Sequence, residues 1–148
     1  FTTVFAMSNP EIGKEEVSFM SAIASNGAAH QDESRSWAAS RKVASYITDK
    51  DLKGPILIDT FQGFAIVLFS KHPEQYVKTQ DMDFRDILID PPGHGIKWIL
   101  VPKPDEELRT SEWILKTYPY IWEEGTPWAQ LYEDFGQWRL YRIVPESR

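Results

Sequence analysis

The sequence contains no cysteine among its 148 residues, which excludes thiol catalysis, thiolate-bound zinc and disulfide bonds. It also contains no apolar run of about 18 residues, the length that a membrane-spanning helix needs. Basic residues are outnumbered, since 16 Lys and Arg stand against 22 Asp and Glu and give a formal net charge of −6. We therefore expect no nucleic-acid partner, because binding to phosphate groups needs a basic face.

The signatures of common nucleotide-binding and hydrolytic sites are missing too. The chain has no G-x-G-x-x-G or G-K-[ST] segment to bind nucleotide phosphates, and no Ser lies in a G-x-S-x-G elbow. The three histidines, His30, His72 and His94, do not stand at the spacing of metal ligands. The sequence therefore predicts no catalytic residue, no metal site and no cofactor.

The composition is nevertheless that of a chain with an ample core. Apolar residues make up 42% and aromatic residues 14% of the sequence, enough to fold without a metal or a disulfide. The length fits one domain, which we place over 1–148, with a lead-in and helix over 1–33 and the core over 34–148. Because the first residue is Phe1 and not Met, we expect the chain to be part of a longer protein.

The N-terminal part is expected to be largely helical. Apolar periodicity predicts a helix over 14–25 and a second helix over 34–49, for which Ser34 is the expected N-cap. The polar segment between them, 26–33, is expected to be a loop.

Three short aliphatic segments indicate the strands of a buried sheet. They lie at about 56–59, 75–79 and 97–101. The first, Ile56-Leu57-Ile58, lacks polar alternation, which is typical of a strand covered on both faces. Helices are predicted between the strands at 61–70 and 83–89, although 61–70 is apolar enough to be a strand instead. The alternation favours parallel strands in the order 2-1-3, joined by right-handed crossovers.

The C-terminal segments 128–135 and 138–144 alternate between apolar and polar residues. Between them, Gly136-Gln137 places glycine where a type II′ turn requires it. This pattern predicts an antiparallel hairpin that extends the sheet. The expected fold is therefore a Rossmann-like α/β sandwich of two or three layers, with central parallel strands and a C-terminal antiparallel hairpin.

Ligands of open parallel sheets bind beyond the carboxyl ends of the strands, and polar residues follow these ends here. The candidate ligand-binding residues are Asp59, Thr60, Gly63, Asp81 and Asp83. The favoured interpretation is structural: Asp59 and Asp83 cap helices, and Gly63 permits close packing. Asp81-Met82-Asp83 is formally the D-x-D motif with which sugar-nucleotide transferases hold a divalent cation. A three-residue motif occurs by chance in many chains and does not by itself predict a metal site.

Aromatic residues are concentrated towards the C-terminus. They are Trp113, Tyr118, Tyr120, Trp122, Trp128, Tyr132, Trp138 and Tyr141. Such rings can stack on the apolar faces of sugars. The favoured alternative is that they belong to the core and to cross-strand pairs of the hairpin.

Several segments together resemble a known family. They are 56–68, 79–84, 97–102, Tyr118-Pro119 and 138–144, with the opening segment 6–10. In this order and spacing they are similar to the C-terminal soluble region of multi-spanning bacterial membrane proteins. Those proteins look like the polyprenyl-phosphate-sugar-dependent glycosyltransferases related to protein mannosyltransferases. The resemblance covers most of the chain and rests on residues of structural character, without a catalytic signature.

The resemblance implies a non-catalytic accessory or recognition domain on the extracytoplasmic side of the cell membrane. Its partners would be its own membrane-spanning region and a sugar or cell-envelope polymer. The catalytic acids of such transferases lie in loops between membrane helices, which this chain does not contain, so no catalytic residue carries over. Two alternatives are a small hydrolase or transferase that uses the strand-end carboxylates, and a protein–protein interaction module. No oligomeric state is predicted.

Overall fold

A computed structural model describes residues 31–144 of the chain as a mixed α/β structure built on one five-stranded sheet. The strands are β1 (Ile56–Leu57), β2 (Tyr76–Val77), β3 (Trp98–Pro102), β4 (Ala129–Asp134) and β5 (Trp138–Ile143). Their order across the sheet is β2-β1-β3-β5-β4. Strands β1, β2 and β3 are parallel, while β5 is antiparallel to both β3 and β4.

Six α-helices accompany the sheet in the described part of the chain. They are α1 (Gln31–Asp49), α2 (Thr60–Phe69), α3 (Phe84–Ile89), α4 (Leu108–Ser111), α5 (Trp113–Thr117) and α6 (Ile121–Glu124), and a 3-10 turn covers Pro73–Gln75. The chain divides into two units, Phe1–Ala38 and Ala39–Arg148. Of the first unit, the structure describes only the beginning of α1.

The N-terminal predictions are partly wrong and partly outside the described residues. Helix α1 already includes residues 31–33, which were expected to be a loop, and Ser34, which was expected to cap the helix and instead lies within it. The polar residues 31–33 therefore form the first turn of the helix. The predicted lead-in and helix before residue 31 lie outside the described residues.

Successive side chains of the central strands enter two different cores, because strand residues alternate between the two faces of a sheet. In β1 and just after it, Ile56 and Ile58 join a core with residues of α1 and α2. Leu57 points the other way and joins a core with residues of the four shorter helices, α3 to α6. The lack of polar alternation in this segment therefore has the predicted cause: both faces of β1 are covered by helices.

The predicted parallel order 2-1-3 is confirmed by the pairing of β1 with both β2 and β3. Segment 61–70 is a helix and not a strand, since α2 covers Thr60–Phe69. Strands β1 and β2 are each two residues long and shorter than the predicted segments. The chain turns at Asp59, the N-cap of α2, soon after β1. The backbone N–H of Ile58 still donates to the carbonyl of Val77, at 3.1 Å.

The predicted C-terminal hairpin is also confirmed, and β5 joins it to β3. Gly136 has a φ of +84°, and the N–H of Phe135 donates across the turn to the carbonyl of Trp138 at 2.8 Å. A bulge in β4 leaves Tyr132 out of the regular pairing, and its ring lies edge-on against Trp98 at 4.9 Å between centroids. The α/β class with a mixed sheet is thus established, while the Rossmann-like assignment stays a prediction.

Candidate functional site

A cleft of about 240 Å³ lies where the chain leaves the carboxyl ends of the parallel strands. Three segments line it: the β1–α2 turn, the loop after β2, and the junction of α4 and α5. The lining residues are Asp59, Thr60, Phe61, Thr79, Gln80, Ser111 and Trp113. The cleft therefore occupies the edge of the sheet at which the sequence predicted a ligand-binding groove.

The Asp59 side chain holds the three segments of the cleft together. Only 1% of the residue is exposed, and its two oxygens accept three hydrogen bonds. Oδ1 accepts from the N–H of Phe61 and the hydroxyl of Thr79, each at 2.8 Å, and Oδ2 accepts from the N–H of Trp113 at 2.6 Å. Asp59 caps α2 as predicted and also fixes two segments distant in the chain. Because donors from the chain already occupy both oxygens, this carboxylate is a structural tie.

Hydroxyl and amide groups form the accessible polar surface of the cleft. The side-chain amide of Gln80 donates to the hydroxyl of Thr60 at 2.8 Å, and the N–H of Thr60 donates to the hydroxyl of Thr79 at 3.1 Å. Gln80 is exposed, while Thr79 is half-buried and Thr60 is 7% exposed. Groups of this kind both donate and accept hydrogen bonds, which suits a ligand rich in hydroxyls.

The structure separates the remaining predicted site residues from the cleft lining. The carboxylate of Asp81 accepts from the N–H of Lys78 at 2.7 Å and closes the turn after β2. Asp83 is exposed and precedes α3, but its side chain forms no capping hydrogen bond within the described residues. Gly63 is buried, and a Cβ there would lie 2.4 Å from Cδ1 of Ile58. Of the five predicted residues, the structure thus brings Asp59 and Thr60 into the cleft.

Glu112 is a functional candidate that the sequence did not indicate. It is fully buried beside the cleft, at the N-cap of α5, and its Oε2 accepts from the N–H of Leu115 at 2.6 Å. Its Oε1 has no hydrogen-bond partner in the described part of the chain. Burial, reinforced by the nearby negative charge of Asp59, raises the pKa of Glu112 to about 8. The side chain is therefore largely protonated at neutral pH.

Two cations lie against the ring of Trp113, a residue of the cleft lining. The guanidinium carbon of Arg85, on α3, lies 4.8 Å from the ring centroid. The ammonium nitrogen of Lys116, on α5, lies 4.7 Å from the same centroid. Both distances are within the range of cation–π attraction. This arrangement places two positive charges next to a cleft whose own accessible groups are uncharged.

The C-terminal aromatic residues serve mainly in packing, as the favoured interpretation predicted. Trp138 lies in the core against α1 and α2, and Tyr141 lies in the opposite core. Tyr118 packs edge-on against Trp128, with centroids 5.1 Å apart. Because these rings are spread over both cores, they do not form one sugar-binding platform.

Helix α2 presents an apolar stripe to the outside. The stripe consists of Phe61, Phe64 and Leu68, which are 59%, 61% and 56% exposed. The spacing of three and four residues places them on one face, and the ten residues of α2 include no charged side chain. Phe61 belongs both to this stripe and to the cleft lining.

A second cavity, of about 200 Å³, lies at the opposite edge, before the amino ends of β1 and β2. The side-chain amide of Gln75 bridges it by donating to the carbonyls of Leu52 and Gly54, at 2.6 and 2.8 Å. Its charged residues form exposed pairs, such as Lys53 with Asp51. Gln75 joins two segments of the chain there, whereas Asp59 joins three at the carboxyl edge. We therefore place the candidate site at the carboxyl edge.

The described residues show neither a candidate metal centre nor a helix that could cross a membrane. Within residues 31–144, no cluster of three or more His, Asp or Glu side chains is arranged to hold a metal ion. Over the same residues, no helix combines the length and apolar character needed to cross a membrane. Comparison of the chain with protein-family models, with curated proteins and with solved structures finds no match.

Proposed function

We propose that the chain is a non-catalytic recognition domain that binds a carbohydrate of the cell envelope in the carboxyl-edge cleft. In this proposal it serves as the extracytoplasmic accessory part of a glycosyltransferase-like membrane protein. The sugar or polymer is held by the hydroxyl and amide groups of the cleft and by the exposed ring of Phe61. The Rossmann-like topology predicted from the sequence belongs to the same proposal.

The chemistry of the cleft lining is the observation that carries the proposal. Thr60, Thr79, Gln80 and Ser111 contribute hydroxyl and amide groups, and Phe61 and Trp113 contribute aromatic rings. Carbohydrates expose hydroxyl groups around an apolar ring face, so their recognition combines hydrogen-bonding groups with an aromatic surface. The volume of about 240 Å³ lies below the roughly 300–1,000 Å³ of typical small-molecule pockets, so we expect the cleft to hold only a short part of a carbohydrate.

The state of the buried acids favours recognition over hydrolysis. General acid–base catalysis needs a carboxyl group within reach of the substrate. Asp59 accepts three hydrogen bonds from the chain itself, and Glu112 lies behind the cleft surface with no exposed area. A hydrolase or transferase built on the strand-end carboxylates is therefore the less favoured function.

The cellular setting is supported by the family resemblance of the sequence segments, and it has its own test. The sequence upstream of Phe1 in the intact gene is expected to encode several hydrophobic membrane spans. An upstream region without such spans would contradict the membrane tether, while leaving carbohydrate recognition by the cleft to be tested separately.

The binding proposal is tested by titrating the 148-residue chain with mannotriose and chitotriose while recording backbone amide chemical shifts. We expect saturable shifts at Thr60, Thr79 and Gln80 with at least one of the two sugars. We expect no comparable shifts at Leu52 and Gln75, around the amino-edge cavity. The absence of saturable shifts at the cleft with both sugars would contradict the proposal.

Matched substitutions give the same test a control. Gln80→Ala and Phe61→Ala are each expected to weaken sugar binding about fivefold, since each removes about 1 kcal/mol of contact. Gln130→Ala removes an exposed amide on β4, and Phe64→Ala removes an equally exposed ring one turn along α2. Neither residue lines the cleft, so both variants are expected to bind sugar as the unchanged chain does.

The apolar stripe of α2 favours a second candidate function, a protein–protein contact through Phe61, Phe64 and Leu68. The helix is roughly 15 Å long, so the stripe alone covers less than the approximately 800 Å² per partner of a stable interface. Sedimentation of the chain over a range of concentrations tests self-association. A dimer that Phe64→Ser dissociates, with sugar binding absent, would favour this function over carbohydrate recognition.

A further inference from the structure

We infer that the ligand of the carboxyl-edge cleft carries an anionic group, a carboxylate or a phosphate, which Arg85 and Lys116 bind beside the Trp113 ring. This inference rests on the proposed function and specifies the chemical class of the carbohydrate. It therefore predicts a preference for acidic over uncharged sugars.

The position of the two cations is the first support. Trp113 lines the cleft, and its ring lies 4.8 Å from the guanidinium of Arg85 and 4.7 Å from the ammonium of Lys116. The two side chains come from different helices, α3 and α5, so their meeting at this ring is a product of the tertiary structure. Both positive charges therefore lie against a ring that belongs to the cleft lining.

The lack of ion pairs is the second support. Within residues 31–144, neither Arg85 nor Lys116 has a carboxylate within ion-pair distance, whereas Arg109 and Arg139 are both paired. Arg85 and Lys116 are exposed, and stacking on a ring leaves the N–H groups at the edge of a guanidinium free to donate. An exposed arginine without an ion pair is suited to bidentate binding of carboxylate or phosphate.

Nearby acids do not neutralise this pair by contact. Asp83 and Asp86 are exposed residues next to Arg85 in the sequence, and the carboxylate of Asp81 accepts from the N–H of Lys78. In a chain with a net charge of −6, the attraction for an anion comes from these two cations and not from the charge of the whole chain. The preference for an anion is therefore local, and it is expected to weaken as salt concentration rises.

The experiment compares sugars that differ only in the charged group. The 148-residue chain is titrated with galactobiose and digalacturonate, which test a carboxylate, and with mannose and mannose 6-phosphate, which test a phosphate. We expect at least one acidic sugar to bind roughly tenfold more tightly than its uncharged match, because charge-assisted hydrogen bonds are about twice as strong as neutral ones. A preference for digalacturonate would identify the anionic group as a carboxylate, and a preference for mannose 6-phosphate would identify it as a phosphate.

The double variant Arg85→Gln/Lys116→Gln is expected to lose this preference while binding uncharged sugar as before. The control Lys42→Gln/Arg142→Gln removes two exposed cations, whereas Arg85 and Lys116 are the cations that lie against Trp113, and it changes the net charge equally. It should keep the preference, and thermal unfolding verifies that both double variants are folded.

The outcomes separate the inference from the function on which it rests. Equal affinity for charged and uncharged sugars would overturn the inference and leave carbohydrate recognition standing. A preference that survives in Arg85→Gln/Lys116→Gln would also overturn it, since other groups would then bind the anion. If none of the four sugars binds, the proposed function fails and the inference fails with it.

Discussion

The β1–α2 turn and the α4–α5 junction each bury a carboxyl group, and the two groups are stabilised in opposite ways. Asp59 in the turn accepts three hydrogen bonds over its two oxygens. Glu112 at the junction accepts one at Oε2, and its Oε1 has no partner among the described residues. A buried carboxylate is tolerated as an ion when donors surround it, and otherwise it keeps its proton.

Both acids bind the first turn of α5, the helix that begins with the cleft residue Trp113. The N–H that Asp59 binds belongs to Trp113, the residue that follows Glu112. Asp59 thus anchors the start of α5 by accepting the N–H of Trp113, while Glu112 caps the same helix. The position of Trp113 at the cleft therefore depends on both Asp59 and Glu112.

Removing the Asp59 carboxylate is expected to give the largest effect. Asp59→Ala leaves two N–H groups and one hydroxyl without the acceptor that the almost fully buried Asp59 provides. Each buried unsatisfied donor costs about 1–3 kcal/mol, and the loss of an N-cap alone costs about 1 kcal/mol. We expect the free energy of unfolding, measured by urea denaturation, to fall by about 3 kcal/mol or more.

Asp83→Ala is the matched control, because Asp83 also precedes a helix but is exposed and makes no capping bond in the described structure. Its effect on the free energy of unfolding should stay within about 0.5 kcal/mol. Equal losses for Asp59→Ala and Asp83→Ala would refute the role of Asp59 as a tie between segments.

The second prediction concerns the pH dependence of stability that Glu112 introduces. Its pKa is raised from 4.5 to about 8 in the folded chain, so between these values the folded state holds a proton that the unfolded state releases. The free energy of unfolding therefore contains a contribution that is complete below about pH 4.5 and is lost as pH rises through about 8. Integrated from acid to neutral pH, this loss is of the order of 3 kcal/mol.

Glu112→Gln tests this by keeping the acceptor for Leu115 and removing the ionisable group. We expect the decline in the free energy of unfolding between acidic and mildly alkaline pH to become clearly shallower in this variant. Glu107→Gln, at an exposed glutamate that precedes α4, should leave the decline unchanged. A wild-type pH profile retained in Glu112→Gln would assign the pH dependence to other groups.

The sequence predicts the local half of this arrangement. Asp59 precedes an apolar helical segment, so its role as an N-cap follows from residue type and position alone. The buried strands follow from short aliphatic runs, and the turn at Gly136 follows from its place between two alternating segments. Each of these inferences depends on neighbours within a few residues along the chain.

The other half depends on contacts between distant residues. Thr79 and Trp113 lie 20 and 54 positions from Asp59, and only the strand order and register bring their donors to the same carboxylate. Glu112 could not be singled out because glutamate is rarely fully buried, and nothing in residues 111–113 signals burial. The contact of Arg85 with the Trp113 ring has the same origin, since helices α3 and α5 meet only in the folded chain. Lys116 lies three residues after Trp113 on α5, so its contact with the ring is local.

The smallest expected effect concerns Asp81, the third carboxylate in this comparison. It accepts a single hydrogen bond, from the N–H of Lys78 at 2.7 Å, and the residue is half-buried. In Asp81→Ala, water can reach the freed N–H, so the free energy of unfolding should fall by about 1 kcal/mol. The three substitutions at Asp59, Asp81 and Asp83 should then rank by the number of donors each carboxylate holds: three, one and none within the described residues. Urea denaturation of the three variants under one condition gives this ranking, and an Asp81→Ala loss as large as that of Asp59→Ala would show that donor number does not govern these sites.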